Sequence, residues 1–139
     1  MADLSTLIRL HKHELDEKRQ ALAVLYTAVE DVERRRRDLD RDFEREKELV
    51  RASGDVNFTF TGYAAKVKQR QEELDAQKAG LEKQIEAAKD SMMETFSELK
   101  KYEMTQAERD RLEAAERALK ESKELDEIGL EGFRRKERE

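Results

Sequence analysis

The sequence predicts an all-α fold, a long two-helix antiparallel coiled-coil hairpin, and three observations predict it. Ala, Glu, Lys, Leu and Arg together supply 82 of 139 residues, above the roughly half that marks coiled coils and long helices. Proline is absent, so no residue forbids an uninterrupted helix. Apolar residues are only 37% of the chain against 45% charged, too few for a globular core. They nevertheless fall at heptad spacing in two long runs separated by a short break.

The first run steps alternately by four and three. It reads Leu4, Ile8, His11, Leu15, Lys18, Leu22, Leu25, Val29, Val32, Arg36, Leu39, Phe43, Glu46 and Val50, ten of fourteen apolar with no break in phase. That is an a/d seam well past the three or four heptads needed to assign one. High charge with few aromatics is also the composition of disordered chains, but a disordered chain has no reason to hold phase. Asp3 is placed to cap this helix, which is expected over residues 3–52.

Ala52-Ser53-Gly54-Asp55 ends the pattern with turn-forming residues. Val56 to Tyr63 alternates apolar and polar, and reads as an ordered tip over 53–61, with Asn57, Thr59 or Thr61 capping the next helix. The second helix is expected over 62–128. Its seam reads Tyr63, Val67, Arg70, Leu74, Lys78, Leu81, Ile85, Ala88, Met92, Thr95, Leu99 and Tyr102. The doubled step of four at Leu74 to Lys78 is a stutter, and Gly80 follows it, so a local irregularity is expected there. Thr105 and Glu108 match a capping box. This is either a chance match inside a continuous helix or the start of a short third one. Gly129 and Gly132 are expected to end the helix, leaving 129–139 as a frayed tail of a single-domain chain.

A short connection between two seams requires antiparallel packing. With the turn centred near residue 57, Leu4 is expected near Asp110. Fifty helical residues span about 75 Å, and residues past about 110 would overhang the N-terminus, still carrying Leu112, Leu119, Leu125, Ile128 and Leu130.

Several function classes are disfavoured. A net charge of −5 with both signs interspersed argues against a nucleic-acid binder. Arg34 to Arg37 fan around the helix and have acidic partners at helical spacing: Glu30 with Arg34, Asp31 with Arg35, Glu33 with Arg37. The run therefore reads as a solvated, salt-bridged face, the alternative being that Arg36, on the seam, lowers pairing affinity. No apolar run reaches a membrane-spanning length, there is no signal peptide pattern, and the lack of cysteine fits a reducing compartment. No catalytic motif occurs, so neither an enzyme nor a small-molecule substrate is expected. Cofactors and metals are not expected either, since His11 and His13 point to different helix faces.

What remains is binding to other proteins. Phe58, Phe60 and Tyr63 crowd the tip, either to plug the seam or to meet a partner. Leu7, Leu10, Val24, Tyr26, Leu49, Met93, Phe96 and Met104 are apolar yet lie off the seam.

The opening Leu4-Ser5-Thr6-Leu7-Ile8-Arg9-Leu10, the stretch Leu15-Asp16-Glu17-Lys18-Arg19 and the single hairpin resemble the bacterial flagellar export protein FliJ family over essentially the whole chain. The resemblance implies a non-enzymatic, stalk-like part of the flagellar type III export apparatus. It would be cytoplasmic and peripheral to the inner membrane at the flagellar base. One end would bind the hexameric export ATPase, the other the cytoplasmic part of the export gate, and export chaperones would also be bound. By position along the hairpin, Leu4, Leu7, Ile8, Leu10, Leu112 and Leu119 would face the ATPase. Leu49, Phe58, Phe60 and Tyr63 would face the gate. The rivals are the equivalent stalk of a virulence secretion system and a generic homodimeric coiled-coil adaptor. A solution mass of one chain, 16.4 kDa, separates the hairpin from the dimer.

Overall fold

The computed structural model describes residues 3–54 and 58–138. Two helices pack against each other: α1, Ser5–Ser53, and α2, Phe58–Arg138. Tertiary contacts group the chain into two units, Met1–Lys12 with Phe96–Glu139, and His13–Thr95.

α1 starts where Asp3 directs it. Asp3 Oδ1 accepts the Ser5 N–H at 3.0 Å and Oδ2 accepts the Ser5 hydroxyl at 2.9 Å, satisfying a first-turn donor that has no intrahelical partner. These bonds hold the Asp3 carboxyl below its ordinary pKa. α1 ends at Gly54, whose φ of 68° is the left-handed conformation that only glycine adopts cheaply. Its N–H returns to the Arg51 carbonyl at 3.3 Å.

The tip is shorter than expected. α2 begins at Phe58, so Thr59 and Thr61 lie inside its first turn, past any cap position, while Val56 and Asn57 fall outside the described residues. The earlier start shifts the pairing. In the His13–Thr95 unit, Arg36 meets Asp75, Glu33 meets Lys78 and Asp40 meets Gln71, each pair summing to 111 rather than the expected 114. In the other unit Leu4 lies beside Gln106, one turn short of Asp110.

The seam is the core. Every α1 seam position except Glu46 is at least half-buried, and every α2 position except Arg70. Leu15, Leu22, Val32, Val67, Leu74, Ile85 and Leu99 are buried. The pattern continues into Gln106 and Arg109, both half-buried. α2 runs unbroken through the stutter, through Gly80 and through Gly129 and Gly132 to Arg138, so the expected end at 128 and the frayed tail are corrected. A helical glycine costs about 1 kcal/mol, which its neighbours can supply. Thr105 donates to the Lys101 carbonyl at 2.8 Å in mid-helix, so its capping-box match is a chance one.

Polar seam residues are accommodated by partners. Lys18 Nζ donates to the Ser91 carbonyl at 3.3 Å and to Thr95 Oγ1. Arg36 bridges the helices, with Nε 3.0 Å from Asp75 Oδ1 and a second bond to Asp40, as a salt-bridged face requires. Of the three ion pairs expected around the arginine run, Asp31 with Arg35 forms at 3.1 Å. Arg34 takes Asp31 as well, rather than Glu30. Glu33 reaches across to Lys78 at 3.2 Å, because its helix position flanks the seam.

Candidate partner-binding surfaces

In the unit of Met1–Lys12 and Phe96–Glu139, Leu4, Leu7 and Ile8 are half-buried where α1 leaves its first turn against α2. The Leu4 N–H donates to Gln106 Oε1 at 2.9 Å, and Gln106 Nε2 donates onward to Asp110 Oδ1 at 2.9 Å. A side chain of α2 thus satisfies a backbone donor at the start of α1. One turn on, His11 is held on three sides. Its Nδ1 lies 2.8 Å from the Leu7 carbonyl, its Nε2 3.3 Å from Glu98 Oε2, and its ring 4.9 Å from that of Tyr102. His13 pairs instead with Glu17 at 3.0 Å.

Leu10 is different: 57% of it is exposed, because it lies off the seam. Past Arg109, no other described residue shields α2, and every described position from Asp110 to Arg138 is exposed. Leu112 and Leu119 stand on this unpaired stretch. Its helix is supported by local pairs such as Glu108 with Arg111, where the guanidinium holds the carboxyl below its ordinary pKa. The six residues expected to face one partner therefore divide. Leu4, Leu7 and Ile8 serve pairing of the helices with one side open. Leu10, Leu112 and Leu119 present apolar surface that the described chain does not cover.

In the His13–Thr95 unit, Phe43, Phe60 and Tyr63 form one cluster. The Phe43 and Phe60 rings are parallel within 3° at 6.1 Å, and Tyr63 lies 6.2 Å from Phe43 and 6.3 Å from Phe60. Lys47 Nζ sits 4.8 Å above the Phe43 ring, a cation–π contact. Phe60 and Tyr63 are half-buried, so each serves the seam with one face and shows another. Leu49 is exposed. Phe58 opens α2, and its side chain lies outside the described residues. Sequence reasoning placed Phe43 on the seam without seeing that it anchors the tip aromatics. The signal was a seam phenylalanine about one loop's reach from an aromatic run.

The whole arrangement, two heptad-paired helices with α2 the longer, meets a match from residue 1 to residue 138 with the family model described as Flagellar FliJ protein. The chain belongs to the FliJ family. No curated protein and no solved structure matches it. As a FliJ-family member it is a component of the flagellar protein export apparatus. No helix among the described residues is long and apolar enough to cross a membrane.

Proposed function

We propose that this FliJ-family chain is a non-enzymatic stalk of the export apparatus. In this reading the unit carrying the N-terminus and the unpaired end of α2 binds the hexameric export ATPase. The end carrying Leu49, Phe60 and Tyr63 binds the cytoplasmic part of the membrane export gate. Export chaperones are further partners, and the protein is held at the inner membrane only through the gate.

The observation that carries the reading is the bare end of α2. A helix that continues for some thirty residues beyond its last partnered position, with Leu112 and Leu119 exposed, has surface to give to a protein socket. Leu10, exposed on α1 of the same unit, adds to it. An uneven rod inside a six-fold ring meets each subunit with different side chains, which would bias which subunit closes on nucleotide.

The test is the ATPase rate of the same organism's export ATPase with and without this protein. Saturable stimulation is expected. It is lost when Leu7, Leu10 and Leu112 become polar, and when residues 112–139 are deleted. Stimulation that survives the deletion would remove the bare end of α2 as the inserted element.

A further inference from the structure

From the last paired turns onward α2 carries a second heptad row, on the side turned away from α1. Met104, Ala107, Arg111, Ala114, Ala118, Glu121, Leu125 and Ile128 follow one another by strict alternation of three and four. Six of the eight are apolar. Met104 is 71% exposed and Leu125 68%, so no described residue of this chain covers the row. Such spacing places all eight side chains on one stripe that accepts the knobs of a neighbouring helix. Leu112 and Leu119 each follow a row position by one residue, so they stand about 100° round the helix and belong to a different face.

The charges beside the row indicate which helix fits. The positions immediately before the a-type residues Met104, Arg111, Ala118 and Leu125 are Glu103, Asp110, Arg117 and Glu124, three acids and one base along a single flank. A second copy of this chain is a poor occupant. Antiparallel pairing about the middle of the row matches Arg111 with Glu121 but sets Asp110 against Glu124 and Arg117 against Arg117 along the flank, while parallel pairing stacks Arg111 on Arg111 and Glu121 on Glu121. Like charges at these positions oppose pairing. A basic flank on the incoming helix relieves the contacts between acids. Ala114 and Ala118 at the centre leave room for large apolar side chains, and Arg111 and Glu121 call for one acid and one base within the partner's stripe.

We infer that the outer face of α2 from Met104 to Ile128 docks an amphipathic helix of another protein, apolar along its seam and basic along the flank that meets Glu103, Asp110 and Glu124. This docking does not depend on the ATPase reading, because it uses a different face from Leu112 and Leu119.

The experiment uses the full-length protein and two fluorescent synthetic helices of about four heptads, identical in their Leu and Ile seam. One carries Lys at its flanks and the other Glu. Fluorescence anisotropy is expected to show the Lys-flanked helix binding at least about tenfold more tightly, with the preference falling at high salt. The double variant Met104→Glu/Leu125→Glu loses the binding, whereas Leu112→Glu keeps it. Circular dichroism confirms that both variants remain helical. Equal affinity for the two helices, no affinity for either, or binding that survives the double variant would overturn the proposal. So would sedimentation showing that the unliganded chain dimerises through Leu125.

Discussion

Thr95, only 3% exposed, accepts a hydrogen bond from Lys18 of α1 while its own hydroxyl donates to the Ser91 carbonyl at 3.2 Å. Lys18 also donates to that carbonyl, so a lysine on one seam and a threonine on the other close a small ring of polar contacts inside an apolar stripe. Losing one partner leaves the other bonded to the Ser91 carbonyl alone. Lys18→Leu or Thr95→Val alone should destabilise the hairpin by about 1–3 kcal/mol. The double substitution should be close to neutral, because no buried polar group is then left without a partner. A double-mutant cycle in urea measures this directly, and additive losses would sink the idea.

Arg36 shows the opposite balance, because its bridge lies nearer to water. The hydrogen bond it donates to Asp75 is the largest cause holding the Arg36 guanidinium above its ordinary pKa, but Asp75 itself is exposed. Asp75→Asn should therefore cost under about 1 kcal/mol, and high salt should erase the difference. Arg36→Leu restores an apolar seam position and should raise stability by about 1 kcal/mol. Thermal melts at two ionic strengths separate the two effects.

Acid should loosen the start of α1 before it melts the hairpin. The Asp3 carboxyl is depressed below 3.8 by its bonds to Ser5. A depressed carboxyl contributes fully above its unfolded pKa, and the contribution is lost as pH falls through the lower folded value. The Ser5 amide should lose protection only below about pH 4. Asp3→Asn keeps the cap but removes the titration, so its amide exchange should show no acid step. Amide exchange followed by NMR reads both.

Two glycines should respond to alanine with opposite signs. Gly54 sits at φ 68°, where a Cβ is strained, so Gly54→Ala should cost about 1 kcal/mol. Gly80 lies inside α2, and a methyl group there would meet nothing within 4 Å, so Gly80→Ala should stabilise by about 1 kcal/mol. Equal effects at the two sites would contradict the backbone geometry.

The aromatic cluster also makes a prediction about function. Phe43 meets Phe60 and Tyr63, and truncating a half-buried phenylalanine should cost about 2 kcal/mol, below the 3–5 of a fully buried one. If Phe60 also meets the gate, Phe60→Leu should weaken gate binding more than Phe43→Leu does, at a similar loss of melting temperature. Equal losses would make the cluster a plug alone.

The seam was legible because a spacing of three and four leaves few alternatives. From Leu15 to Val32 and from Val67 to Leu99 the buried residues are all ones the heptads selected. The start of α2 was not legible. The alternation from Val56 to Tyr63 suggests extended backbone, but Phe60 and Tyr63 gain more by stacking on Phe43 of the facing helix, and tertiary contact overrides local preference. The reach of α2 to Arg138 was hidden by Gly129 and Gly132, whose penalties are small against a helix already nucleated. The candidate surfaces were half legible. Off-seam Leu10, Leu49 and Met104 are exposed as their phase requires, but a sequence carries no mark of which partner covers which leucine.

The bare stretch of α2 past Arg109 has a thermal consequence. Helix without tertiary packing is marginal in water and unravels at temperatures where packed helix survives. Calorimetry of the full chain should therefore show a broad early transition ahead of the cooperative melting of the paired residues. Any protein that grips this stretch must first freeze whatever has unwound, and that loss of chain entropy grows as the solution warms. Affinity for such a protein should fall with rising temperature more steeply than the buried area alone requires.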